Sequence, residues 1–76
     1  MFTYKPLMRL LLEKDMSKTQ FRDFVGISPS TLAKISKNKN VSMDILDTIC
    51  QKFDCKIEEI IEYIPDSPTE EISDQQ

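Results

Sequence analysis

Lys18–Lys37 reads KTQFRDFVGISPSTLAKISK, and its punctuation decides the fold. Phe21, Phe24 and Val25 recur at i, i+3 and i+4, the period of one buried helix face. Ser17, with Gln20 three residues later, is a capping-box signature. Gly26 stops that helix, because a left-handed residue costs glycine little. Ser28 caps a following helix and Pro29 takes its first position. Leu32 and Ile35 are the core contacts of that helix. Two short helices hinged at Val25-Gly26-Ile27 follow from this pattern.

The same logic extends outward. Upstream, Lys5-Pro6 opens a first helix whose apolar face is Leu7, Leu10 and Leu11. Downstream, Asn38-Lys39-Asn40 is a turn, and Ser42 opens a fourth helix with Asp44 in its first turn. Its stripe is Ile45, Leu46, Ile49, Cys50 and Phe53. Asp54-Cys55-Lys56 breaks it. Ile57, Ile60, Ile61 and Ile64 predict a fifth helix, ended by Pro65, because a residue before proline disfavours the helical region. No strand alternation is present. The expected fold is all-α, a compact five-helix bundle over residues 1–64. Residues 65–76 (PDSPTEEISDQQ) are expected to be an acidic, flexible tail, with too little apolar surface to offset ordering.

Seventy-six residues make one domain. The N-terminus lacks a basic stretch ahead of its apolar run and a small-residue cleavage site, so it is not read as a signal peptide. No apolar run approaches the roughly 18 residues of a membrane span. A cytoplasmic protein with reduced Cys50 and Cys55 is expected. The net charge of −3 alone argues against a polyanionic partner, but its distribution does not. Residues 1–39 hold eight Lys/Arg and three Asp/Glu, and residues 40–76 hold two Lys and ten Asp/Glu. One half is therefore +5 and the other −8. Such asymmetry suggests one face for a polyanion and an acidic remainder.

The third helix can be read by angle, at about 100° per residue. With Leu32 at zero, Ile35 lies at about 300°, and Ser30, Lys34 and Lys37 lie at about 160°, 200° and 140°. These three cluster opposite the core. Pro29, Ser30 and Thr31 occupy the N-terminal end, which approaches base edges when such a helix lies in a major groove. The amides and dipole of that end also favour a phosphate.

Lys18–Asn40 resembles the helix-turn-helix of the phage Cro/C1-repressor-like proteins, the XRE-type, lambda-repressor-like regulators. The matching hinge residues are Phe21, Val25, Gly26, Ile27, Leu32 and Ile35. The likeness spans about residues 4–64, and VSMDILDTICQKFDCKIEEIIEYI resembles the family's fourth and fifth helices. The GIS-x-ST-x-AK run is similar to small stand-alone regulators of Gram-positive bacteria and their mobile elements. The resemblance implies a sequence-specific DNA-binding transcriptional regulator. It implies base reading by Pro29, Ser30, Thr31 and Lys34. It implies phosphate contacts from Lys18, Ser28, Lys37, Asn38 and Lys39. Two positions depart from the pattern. Arg22 stands where a small residue is usual; its stem lies along the hinge with the charge in water, or it reaches DNA. Pro29 stands where many relatives have a hydrogen-bonding Gln, which leaves Ser30 and Lys34 as the main polar readers.

Other readings carry less. C-x4-C without His offers too few ligands for a closed zinc site, and Cys50 falls on an apolar stripe, so both cysteines are read as buried small hydrophobes rather than a redox pair. Glu58, Glu59 and Glu62 read as a solvated helix face rather than paired acids. With no histidine and no Gly-rich phosphate loop, no enzyme, cofactor, metal or small-molecule ligand is expected. Tyr63, Ile64 and the Ile57/Ile60/Ile61 stripe either form a two-fold homodimer face or close the bundle. The expected partner is double-stranded DNA. The rival is a protein-interaction module on the same fold, an antitoxin-like or anti-repressor partner, which the acidic half favours.

Overall fold

The computed structural model describes residues 1–65. Its elements run β1 (Phe2–Thr3), α1 (Lys5–Glu13), α2 (Lys18–Val25), α3 (Pro29–Ser36), α4 (Met43–Phe53), a 3-10 turn (Ile57–Glu59) and β2 (Glu62–Tyr63). The expected division at residue 64 leaves a tail that, beyond Pro65, lies outside the described residues.

α2, α3 and α4 each begin at a serine that caps a local backbone donor. Ser17 Oγ accepts from Gln20 N–H at 3.1 Å, and Gln20 Oε1 accepts from Ser17 N–H at 2.8 Å. Ser28 and Ser42 cap α3 and α4 in the same way through Thr31 and Ile45. Each such cap contributes about 1 kcal/mol. Pro6 and Pro29 sit in first turns, where a missing N–H costs nothing. α2 ends at Gly26, with φ +87°, and α4 ends against Asp54, with φ +52°.

The core is drawn from all four helices and both flanks: Tyr4, Leu7, Leu11, Phe21, Val25, Ile27, Ile35, Leu46, Ile49 and Ile60. Each large aliphatic or aromatic side chain buried there contributes about 1.5–3 kcal/mol. Phe53, at the end of α4, stacks on Phe21 at 6.0 Å between centroids and tilts against Phe24 at 5.3 Å. This fixes α4 across α2.

The fifth helix is not formed. Residues 57–59 make one 3-10 turn, and the chain then runs extended. Of the four isoleucines only Ile60 is fully buried, while Ile57 is 43% exposed. The helical spacing was real, but two forces oppose its use. Pro65 drives Ile64 out of the helical region, and Tyr63 and Ile64 favour a pleated partner. That partner is the N-terminus. Phe2 pairs with Tyr63 and Thr3 with Glu62, antiparallel. The Met1 ammonium donates to Ile64 O, and Ile64 N–H to Met1 O, both at 2.7 Å. The expectation of no strands is corrected by this two-residue ladder. Glu58, Glu59 and Glu62 are solvent-exposed as expected, though not on a helix. The apolar excess divides: Ile60 closes the core, whereas Phe2, Ile57 and Ile61 line an open groove of about 390 Å³ with Tyr4, Val41, Met43 and Leu46.

Candidate nucleic-acid interface

α2 and α3 are held as one unit by the hinge. Gly26 and Ile27 both donate to Arg22 O, at 2.8 and 3.2 Å, closing α2 in a left-handed turn. Ile27 then dives into the core beside Val25, Phe21 and Ile35. The face of α3 away from that core is open: Pro29, Ser30, Lys34 and Lys37 are exposed, Ile35 is buried and Leu32 half-buried. The angular reading of this helix thus matches its burial.

At the N-terminal end of α3 three hydroxyls meet. Ser28 Oγ accepts from Thr31 N–H at 3.1 Å, donates to Thr31 Oγ1 at 3.0 Å, and lies 3.1 Å from Ser30 Oγ. A serine hydroxyl has one proton, so Ser30 supplies the proton of the Ser28–Ser30 contact. Thr31 keeps its own proton for an outside acceptor, and Ser30 keeps lone pairs for an outside donor. Pro29 removes one amide from this turn. The Ser30 N–H has no partner among the described residues, so it adds a donor at the positive end of the helix.

From the cap of α3 through the turn after it, residues 28–40 carry Lys34, Lys37 and Lys39 and no acid. Lys39 N–H donates to Lys34 O at 2.8 Å around a left-handed Asn38, φ +57°. This puts Lys37 and Lys39 on the turn that leaves the helix. Lys18 is exposed at the first position of α2. Arg22 pairs with its neighbour Asp23 at 3.2 Å on the surface, an interaction worth about 0–1 kcal/mol.

Two expected phosphate contacts have prior commitments: Ser28 gives its hydroxyl proton to Thr31 Oγ1, and Asn38 is tied to the start of the chain. Asn38 Oδ1 accepts from Tyr4 N–H at 3.0 Å and from Thr3 Oγ1 at 3.4 Å. Its backbone N–H donates to Ile35 O at 3.1 Å, so only its side-chain amide nitrogen remains to face a phosphate. Tyr4, which the sequence did not mark, donates its hydroxyl to Lys39 O at 2.7 Å. Burial raises its pKa above the ordinary 10.0, against a lowering backbone hydrogen bond from Val41. Thus the turn after α3 is clamped from the N-terminus, by residues 34 and 35 positions away. No local pattern signals a partner at that separation.

The comparisons agree with this arrangement. Residues 6–66 match the model of the Cro/C1-type HTH DNA-binding domain. The chain is 32% identical over 62 residues to the uncharacterized HTH-type transcriptional regulator YozG of Bacillus subtilis, covering 79% of this chain and 74% of that one. It is 43% identical to the transcriptional regulator VanUg in a crystal structure, with TM-score 0.82, covering 86% of this chain and 87% of that one. These likenesses favour the DNA-binding reading over a protein-interaction module. Among the described residues no helix is long and apolar enough to cross a membrane.

Proposed function

The chain belongs to the Cro/C1-type HTH DNA-binding family of transcriptional regulators, and on that premise we propose that it binds duplex DNA sequence-specifically, with α3 in the major groove. The observation that carries this is the open face of α3, where the Ser28–Ser30–Thr31 hydroxyls and Lys34 lie opposite buried Ile35. Pro29, Ser30, Thr31 and Lys34 read base edges. Lys34 donates to guanine O6 or N7. Ser30 accepts from an exocyclic amine, while Pro29 offers only an apolar edge that suits a thymine methyl. Lys18, Lys37 and Lys39 hold phosphates, as do Asn38 through its amide nitrogen and Ser28 through its backbone N–H, since the Ser28 hydroxyl proton goes to Thr31 Oγ1. With so few polar readers, sequence-dependent DNA shape supplies part of the discrimination.

A second copy of the chain covers the apolar groove around Met43 and Ile57, which are 76% and 43% exposed. A two-fold pair then presents two α3 helices to half-sites about 34 Å apart.

Selection of bound sequences from a random duplex pool at about 0.15 M salt tests both statements, because sequence-independent binding is already weak there. An enriched palindrome is expected. Enrichment of a single half-site removes the dimer and keeps the reader. An unenriched pool removes sequence-specific binding and returns the interaction module.

A further inference from the structure

The two cysteines stand apart from the DNA-facing surface, and the end of α4 brings them together. Asp54 is the left-handed residue that closes α4. Cys55 N–H donates to Cys50 O at 3.1 Å, and Asp54 N–H to Gln51 O at 3.3 Å. This paired pattern is a Schellman motif, and it characteristically puts the side chains at its two ends in contact. Here both ends are cysteine. A backbone bond of that length leaves the two Cα atoms within roughly 7 Å, at the reach of a disulfide. Beyond the effect of burial, Cys50 lies close enough to push the Cys55 thiol up, and both thiols are half-buried against the core. Among the described residues no third His, Cys, Asp or Glu joins them to complete a metal-binding group.

We propose that Cys50 and Cys55 form one site of reversible oxidation, closing as an intrachain disulfide across the end of α4 when a disulfide oxidant such as oxidised glutathione is supplied. Cys50 attacks first. Burial, the neighbouring Cys50, and the carboxylates of Glu59 and Asp54 push the Cys55 thiol up to about 11, so Cys55 is a poor initiating nucleophile at neutral pH. The Cys50 thiolate attacks one glutathione sulfur, forms a mixed disulfide and releases one glutathione thiolate. Cys55 loses its proton to water and attacks the Cys50 sulfur, releasing the second glutathione. The protein gives up two electrons and two protons, and one oxidised glutathione becomes two reduced ones. The closed bond ties the Schellman turn beside Phe53, the residue that packs on α2. The site does not depend on the DNA-binding reading.

The test uses the full-length reduced protein at about 10 µM with oxidised glutathione, followed by alkylation of remaining thiols and mass analysis. The expected product is a monomer lighter by two hydrogens, with no alkylation and no glutathione adduct. An effective thiol concentration of the order of millimolar favours intrachain closure over a covalent dimer by about 100-fold at that protein concentration. Trypsin cuts after Lys52, between the two cysteines, so the oxidised protein yields two peptides that separate only on reduction. Cys55→Ser should stop at a stable glutathione adduct on Cys50. A wild-type product dominated by glutathione adducts or covalent dimers, or two thiols still open to alkylation, overturns the proposal.

Discussion

The side-chain oxygen of Asn38 accepts the backbone N–H of Tyr4 at 3.0 Å, tying the end of α3 to the start of the chain. Tyr4 is only 2% exposed, so its amide has no ready access to water as a substitute. Asn38→Gly keeps the left-handed backbone and removes the acceptor, and should cost about 1–3 kcal/mol in a urea titration. Asn38→Ala should lose about 1 kcal/mol more, because it adds a left-handed penalty. A glycine variant as stable as the parent would show that the clamp contributes nothing.

Gly26 separates strain from packing. A Cβ built there meets no atom within 4 Å, yet φ is +87°. Gly26→Ala should therefore destabilise by about 1–2 kcal/mol through the backbone alone. Gly26→Asn should cost less, since asparagine tolerates this region better. Comparing the two midpoints checks the assignment; equal losses would point to a lost contact rather than to φ.

Lys34→Ala should weaken binding to the selected sequence by about 1–3 kcal/mol while leaving non-specific binding much less affected. Titrations on selected and scrambled duplexes measure the difference. The same loss on both would make Lys34 a phosphate contact.

Lys39→Ala should weaken both duplexes alike. The slope of log affinity against log salt should fall by about 0.9, one phosphate contact. An unchanged slope would leave Lys39 with a helix-terminus role only.

Stability should decline in alkali. The Cys55 pKa is raised from 9.0 to about 11, so between those values the native protein keeps a proton that the unfolded chain has released. Its contribution is complete below pH 9 and is lost as pH rises through about 11. Tyr4, raised from 10.0, acts in the same direction at higher pH. Denaturation midpoints measured from pH 8 to 11 should fall less steeply above pH 9 for Cys55→Ser than for the parent, and an unaltered profile would contradict the assignment.

The sequence by itself determined whatever is settled within about five residues. Ser17 with Gln20, Ser28 before Pro29, Ser42 and Gly26 find their partners inside their own turn. Their spacing therefore announced α2, α3 and α4 and the hinge that supports the family resemblance. The outward face of α3 was legible for the same reason, because helical period alone separates Ile35 from Lys34. The Schellman turn is equally local, but its consequence was missed, since period alone puts Cys50 on a stripe and says nothing of Cys55. Only the tertiary structure decided the remainder. Ile57–Ile64 had helical spacing and still became a 3-10 turn and a strand, because Met1–Thr3 supplied hydrogen bonds from the other end of the chain. Asn38 was read as a phosphate contact, yet its oxygen serves Tyr4. In both cases a backbone group takes the partner that chain closure brings to it, and that choice is invisible to any short window of sequence.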